Sequence, residues 1–112
     1  AGILALLEQR PAGKALAAML AAPGRAWTLD ELASKAGTSR ATLVRAFHRI
    51  GGIAPLALLA QLRLGLARHR LAATREPIAT IAASFGYQSE SSFSRAYRRR
   101  FGVPPGNARR TR

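Results

Sequence analysis

The chain has 112 residues and no cysteine, and 18 Lys and Arg stand against five Asp and Glu for a net charge of +13. That length suits one domain or two very small helical lobes and excludes a multi-domain enzyme, while the lack of cysteine excludes a disulfide framework and a thiolate metal site. So dense a positive charge on so small a body calls for a polyanionic partner, with nucleic acid ahead of an anionic membrane.

Helical periodicity runs almost from end to end. "PAGKALAAMLAA" at 11–22 begins on a proline suited to a first helical position and places Leu16, Met19 and Leu20 on one face before Pro23-Gly24 stops it. Trp27, read as a packing anchor in preference to a base-stacking platform, precedes "TLDE", in which Thr28 and Glu31 have capping-box spacing. Leu29, Leu32, Ala33 and Ala36 then recur at i, i+3, i+4, i+7, and Gly37 supplies a left-handed stop. Ser39 is suited to cap a third helix with Leu43, Ala46, Phe47 and Ile50 inward, ended by Gly51-Gly52. Pro55 opens a long Ala- and Leu-rich helix to about Ala73, which spans about 28 Å at ~1.5 Å per residue. Pro77 starts a short helix with Ile78, Ile81, Ala82 and Phe85 inward, and Gly86 stops it. Ser89 caps the next, whose inward stripe is Phe93, Ala96, Tyr97 and Phe101. No alternating strand pattern survives, so the fold class is all-α.

The second half repeats the first. "LDELASKAG" at 29–37 lies over "IATIAASFG" at 78–86, and "SRATLVRAFHRIGGIAP" at 39–55 lies over "SESSFSRAYRRRFGVPP" at 89–105. The one-residue slip between these alignments falls in the turn, where a change of length is cheapest. Each unit is a short helix, a glycine-containing turn and a capped second helix, the pattern of a helix-turn-helix. Any two antiparallel helices with a glycine turn give one such match. Two in register, each with an outward arginine at the same place, point to a DNA reader.

With Leu43, Phe47 and Ile50 inward, the geometry puts Ala41, Val44, Arg45 and His48 outward, and the equivalent stripe is Ser91, Ser94, Arg95 and Arg98. Arg45 and Arg95 are the sharpest candidates for base contact, because arginine donates bidentately to guanine O6 and N7; the alternative is a solvated or phosphate-bound arginine. Ala41 and Val44 either touch a thymine methyl or are tolerated beside the groove. Glu90 suits the helix macrodipole and alternatively accepts from cytosine N4. Arg40, Arg49, Arg99, Arg100, Arg109 and Arg110 read as charges that position the phosphate backbone. His48 and His69 have no ligand-spaced companion, so no metal site is expected, and no paired acids or nucleophile set for an enzyme is present.

At these residues the sequence resembles the DNA-binding domain of AraC/XylS-type transcription regulators. The resemblance covers residues 27–105 and is most specific in the second half, at Ile81, Ala82, Gly86, Tyr87, Ser89, Phe93, Arg95, Tyr97, Arg98, Phe101, Gly102 and Pro105. It implies two helix-turn-helix lobes, homeodomain-like bundles, joined by a long helix: residues 1–10 as a linker remnant, 11–55 as the first lobe, 56–74 as the connecting helix and 75–112 as the second lobe. Recognition helices in adjacent major-groove segments lie about 34 Å apart, with which such a connector is compatible. Carried over by position, base contacts fall on Ala41, Val44 and Arg45 and on Ser91, Ser92 and Arg95. Phosphate contacts are expected at Ser39, Arg40, Thr42 and Arg49, and at Ser89, Arg98, Arg99 and Arg100.

Two departures from the family pattern stand out. Ala41 and Val44 are small and apolar where several members carry longer polar groups, which leaves Arg45 to do the hydrogen-bonded reading in the first lobe. Ala108 stands where an aromatic is common. The implied partners are double-stranded DNA, RNA polymerase and an effector or dimerisation domain outside this chain, which then reads as a C-terminal fragment or a stand-alone member. No cofactor, metal or membrane is expected, and the place of action is the cytoplasm, at the nucleoid. A non-specific architectural DNA-binding protein is the alternative, for which wedge residues and minor-groove arms would be the mark.

Overall fold

The computed structural model describes residues 2–8 and 10–110, without the side chains of Leu7, Glu8 and Arg110. Among the described residues there are eight helices and no strand: α1 (Ile3–Glu8), α2 (Ala12–Ala21), α3 (Leu29–Ala36), α4 (Arg40–Gly51), α5 (Pro55–Ala73), α6 (Ile78–Ser84), α7 (Glu90–Phe101) and α8 (Asn107–Arg110). They form two compact units, Ala1–Ala60 and Gln61–Arg112. The long helix α5 gives its first residues to one unit and the rest to the other.

In the first unit α1 and α2 pack on each other and on the α3–α4 pair. The stretch read as a linker remnant thus forms helix over Ile3–Glu8, and Leu6 is fully buried. Its site is prepared by Gly51, where a Cβ would come within 2.9 Å of Leu6 Cδ1. The buried face of α2 is Ala12, Ala15, Leu16 and Met19. Leu20, expected inward, is 41% exposed, because the stripe begins one turn earlier than Leu16 and runs 12, 15, 16, 19. Pro11 is the N-cap of α2 instead of its first helical residue.

Trp27 is almost fully buried, its Nε1–H donates to the Ala22 carbonyl at 2.9 Å, and the Arg25 guanidinium lies 4.3 Å from the ring centre. It is the packing anchor expected. Beside it the Thr28 hydroxyl accepts from the Glu31 N–H at 3.1 Å while the Glu31 carboxylate accepts from the Thr28 N–H at 3.0 Å. This reciprocal box satisfies two of the four orphan donors at the start of α3.

The second unit has a core of its own. Leu64, Ala67 and Leu71 of α5 meet Ile81, Ala82, Phe85, Phe93, Tyr97 and Ala108. Tyr87 of the preceding turn and three rings of α7 follow one another: Tyr87 on Phe93 at 5.3 Å, Phe93 on Tyr97 at 5.7 Å and Tyr97 on Phe101 at 4.7 Å. All three contacts are edge-to-face or tilted, the arrangement the ring quadrupoles favour. Burial raises the Tyr97 phenol above its ordinary pKa, against a lesser opposing pull from Arg68.

The link from α5 to α6 is held by charge. Arg70 forks onto both carboxylate oxygens of Glu76 at 2.7 and 2.6 Å, and Thr74 Oγ1 donates to the Arg70 carbonyl at 2.9 Å. From α8, Arg109 donates to the Leu71 carbonyl at 3.1 Å and to the Glu76 carbonyl. Arg109 is therefore half-buried and fastens α8 onto the last turn of α5, which corrects its reading as a phosphate-positioning charge. Arg110, read in the same way, has its side chain outside the described residues.

Candidate nucleic-acid interface

Helices α4 and α7 begin with the same hydroxyl arrangement. At α4 the Ser39 Oγ accepts from the Thr42 N–H at 3.2 Å and donates to Thr42 Oγ1 at 3.0 Å. At α7 the Ser89 Oγ accepts from the Ser92 N–H at 3.0 Å and donates to Ser92 Oγ at 2.9 Å. Each cap leaves the preceding amides of the first turn facing outward, where the helix dipole is positive and anions are favoured. Each helix also ends on a left-handed glycine, Gly52 at φ 69° and Gly102 at φ 79°, whose N–H closes onto the carbonyl of His48 or Arg98. A side chain at either position would be strained. The turns match less closely: Gly37 is the C-cap of α3, whereas Phe85 caps α6 and Gly86 follows it at φ 86°.

Between the caps, one face is core and the other is open. Leu43, Ala46 and Phe47 are buried in α4, as are Phe93 and Tyr97 in α7. On the other face of α4 lie Ala41 and Arg45, exposed, with Val44 half-buried; on α7 Ser91 and Arg95 are exposed and Ser94 is half-buried. Ser92 repeats Thr42, not Val44: it is half-buried and its hydroxyl takes part in the cap. Ser39, Arg40 and Arg49 flank the first stripe, and Ser89, Arg98, Arg99 and Arg100 the second, all of them exposed. Each unit therefore gathers its own candidate residues on a single helix.

Few of these cations are neutralised within the fold. Arg40 pairs with Asp30 at 3.1 Å, both largely exposed, so that contact contributes little and can be exchanged for a phosphate. Of the other acids, Glu31 is held by Arg25 and Glu76 by Arg70. Hydrogen bonding to those arginines, more than any other cause, lowers both carboxyl pKa values, so both stay charged near neutrality. Arg68 of α5, which sequence reasoning left aside, lies 4.7 Å from the centre of the Phe101 ring and adds a cation beside the last turn of α7. Its spacing carried no signal, since the contact depends on where α5 meets α7. Ala108 borders a shallow groove of about 360 Å³ with Gly65, Arg68, His69 and Ala72, yet α8 still docks, through Ala108 itself and Arg109.

Comparison with known proteins agrees with this geometry. The helix-turn-helix domain family matches residues 32–111. The RCS-specific HTH-type transcriptional activator RclR of Escherichia coli K12 is 44% identical over 107 residues, 96% of this chain and 38% of the relative. An AraC-like transcription regulator of Streptomyces lividans is 39% identical over 109 residues, 97% of this chain and 36% of its own. Among solved structures, an AraC-type transcriptional regulator from Chromobacterium violaceum superposes with a TM-score of 0.84 at 31% identity over 88% of each chain. The DNA-binding domain of AdpA, solved in complex with a target DNA, gives 0.82 at 26% identity over 92% of this chain and 93% of that one. The chain belongs to the AraC/XylS-type helix-turn-helix family of transcription regulators, and it is a DNA-binding domain, not an enzyme. It spans less than two fifths of the length of these two curated relatives.

Proposed function

We propose that the domain reads a specific double-stranded DNA site with α4 and α7, each laid in one of two adjacent major-groove segments, within a regulator longer than this chain. The observation that carries the reading is the duplication itself: two helices with the same hydroxyl cap and the same glycine end, each presenting an exposed arginine, Arg45 or Arg95, six residues after its capping serine. Ala41, Val44, Ser91 and Ser92 border those arginines at base level. Ser39, Arg40, Thr42, Arg49, Ser89, Arg98, Arg99 and Arg100 hold the phosphates. The whole regulator works in the cytoplasm at the nucleoid, carries an effector or dimerisation domain and contacts RNA polymerase.

Selecting bound sequences from a random duplex pool tests this directly, since it yields site length and half-site spacing together. On the selected site Arg95→Ala costs about 1–3 kcal/mol and relaxes specificity at one base pair, whereas Arg100→Ala weakens all sequences alike. With six to eight phosphate contacts, log K falls against log salt with a slope of about −5 to −7. Equal losses for both variants on selected and random duplex would refute sequence reading, and uniform footprints would favour an architectural coat.

A further inference from the structure

The two reader helices share their caps but treat their arginines differently. In α4 the Thr42 Oγ1 accepts from Ser39 Oγ at 3.0 Å and also from Arg45 Nη2 at 3.3 Å. In α7 the equivalent Ser92 Oγ accepts from Ser89, while Arg95 has no hydrogen-bond or ion-pair partner among the described residues. We infer that Thr42 is a positioning residue for Arg45, so that the first unit reads its base pair with a guanidinium already set and the second with one ordered only on contact. The inference rests on the reading of Arg45 as a base-contacting residue.

Three physical points support it. Residues at i and i+3 share a helix face, which puts the threonine hydroxyl under the arginine stem. A β-branched residue has few χ1 rotamers in a helix, and the bond from Ser39 restricts the Thr42 hydroxyl further, so the acceptor is fixed in space. Arginine loses about 2 kcal/mol of rotamer entropy when it is ordered, and a contact made before binding lowers that cost at the moment of recognition. The geometry leaves chemistry to spare. One Nη2–H is engaged, and the other four donors of the guanidinium remain for guanine O6 and N7. In the first unit this restraint offsets the small, apolar Ala41 and Val44 beside Arg45.

The test is a double-mutant cycle in the intact domain, measured on the selected duplex and on three others changed only at the base pair assigned to Arg45. Thr42→Val keeps the shape and the backbone bond to Ser39 but removes the hydroxyl. It is expected to cut discrimination at that base pair about twofold to tenfold, the range of a single hydrogen bond, and to leave Arg95's base pair unchanged. Thr42→Ser restores discrimination to within about twofold of the parent. In an Arg45→Ala background Thr42→Val has no further effect on discrimination. A Thr42→Val loss that is the same on all four duplexes would show Thr42 acting only on phosphate or on the cap, and a loss of discrimination that persists in the Arg45→Ala background would show it acting without Arg45; either would overturn the inference. So would undiminished discrimination by Thr42→Val where Arg45→Ala abolishes it. If Arg45→Ala itself leaves discrimination intact, the reading of Arg45 fails and the inference goes with it.

Discussion

The two helix-turn-helix units keep the same ends on their second helix and build it on different foundations. The first has seven Lys and Arg against three acids, a net of +4; the second has eleven against two, a net of +9. Leu43 and Phe47 of the first become Phe93 and Tyr97 in the second, a single ring on the inward face giving way to a run of tilted rings in mutual contact. A reciprocal capping box starts α3, whereas Pro77 starts α6 with no side-chain cap. The sharpest contrast is at one register position: Gly51 leaves a hollow for Leu6 of α1, and Phe101 fills the equivalent place with its own ring under Arg68. What is held constant is the serine cap, the terminal glycine and the outward arginine, the features on which the proposed reading of DNA rests. The supporting helices are replaceable, α1 and α2 on one side and α8 on the other.

The contrast can be broken most severely in the aromatic core. Phe93→Ala is expected to cost about 3–5 kcal/mol and Leu43→Ala about 2–5 kcal/mol. Denaturant unfolding with hydrogen exchange should place the first loss in α6 and α7 and the second in α3 and α4. Next, Gly51→Phe copies the second unit into the first. It should evict Leu6 and forfeit about 1.5–3 kcal/mol of burial, seen as fast exchange of the α1 amides while the α4 cap persists.

Arg109→Ala removes the donors that fasten α8 and should cost about 1–3 kcal/mol, confined by hydrogen exchange to α8 and the end of α5. The smallest effect separates the two units by pH. Glu76 and Glu31 both have folded pKa values below the ordinary 4.5, so each contributes stability that is complete above that value and is lost as pH falls through the lower, folded pKa. Because Glu76 takes a two-pronged bond from Arg70, Glu76→Gln should flatten the acid limb of unfolding more than Glu31→Gln, in a titration from pH 6 down to about 3.

What was legible in the sequence was local. The Thr28–Glu31 box, the Ser39 and Ser89 caps and the closing glycines are fixed by neighbours within four residues, and each reads directly from residue type and spacing. The inward stripes of α4 and α7 were legible for the same reason. Leu20 was misplaced because a short, alanine-rich helix offers two eligible faces, and the choice belongs to α1 and α3, which no periodicity in α2 records. The short helix α1 carries no periodic signal of its own and depends on a gap at Gly51 more than forty positions away. Arg109 looked like one more surface charge, since its acceptors are main-chain carbonyls 33 and 38 positions back. The candidate contact residues were legible as a stripe, but the difference between Thr42 and Ser92 was not, because both are small hydroxyl residues at the same register.

The matched ends of α4 and α7 make these helices interchangeable parts. Ser39 to Gly52 and Ser89 to Gly102 are the same length, and each opens from an extended cap and closes into a left-handed glycine. The slip between the repeats lies outside both segments. A designer can therefore graft the outward residues of one helix onto the inward residues of the other without touching a turn. The chain would then carry the same reading head twice, or the two in reverse order.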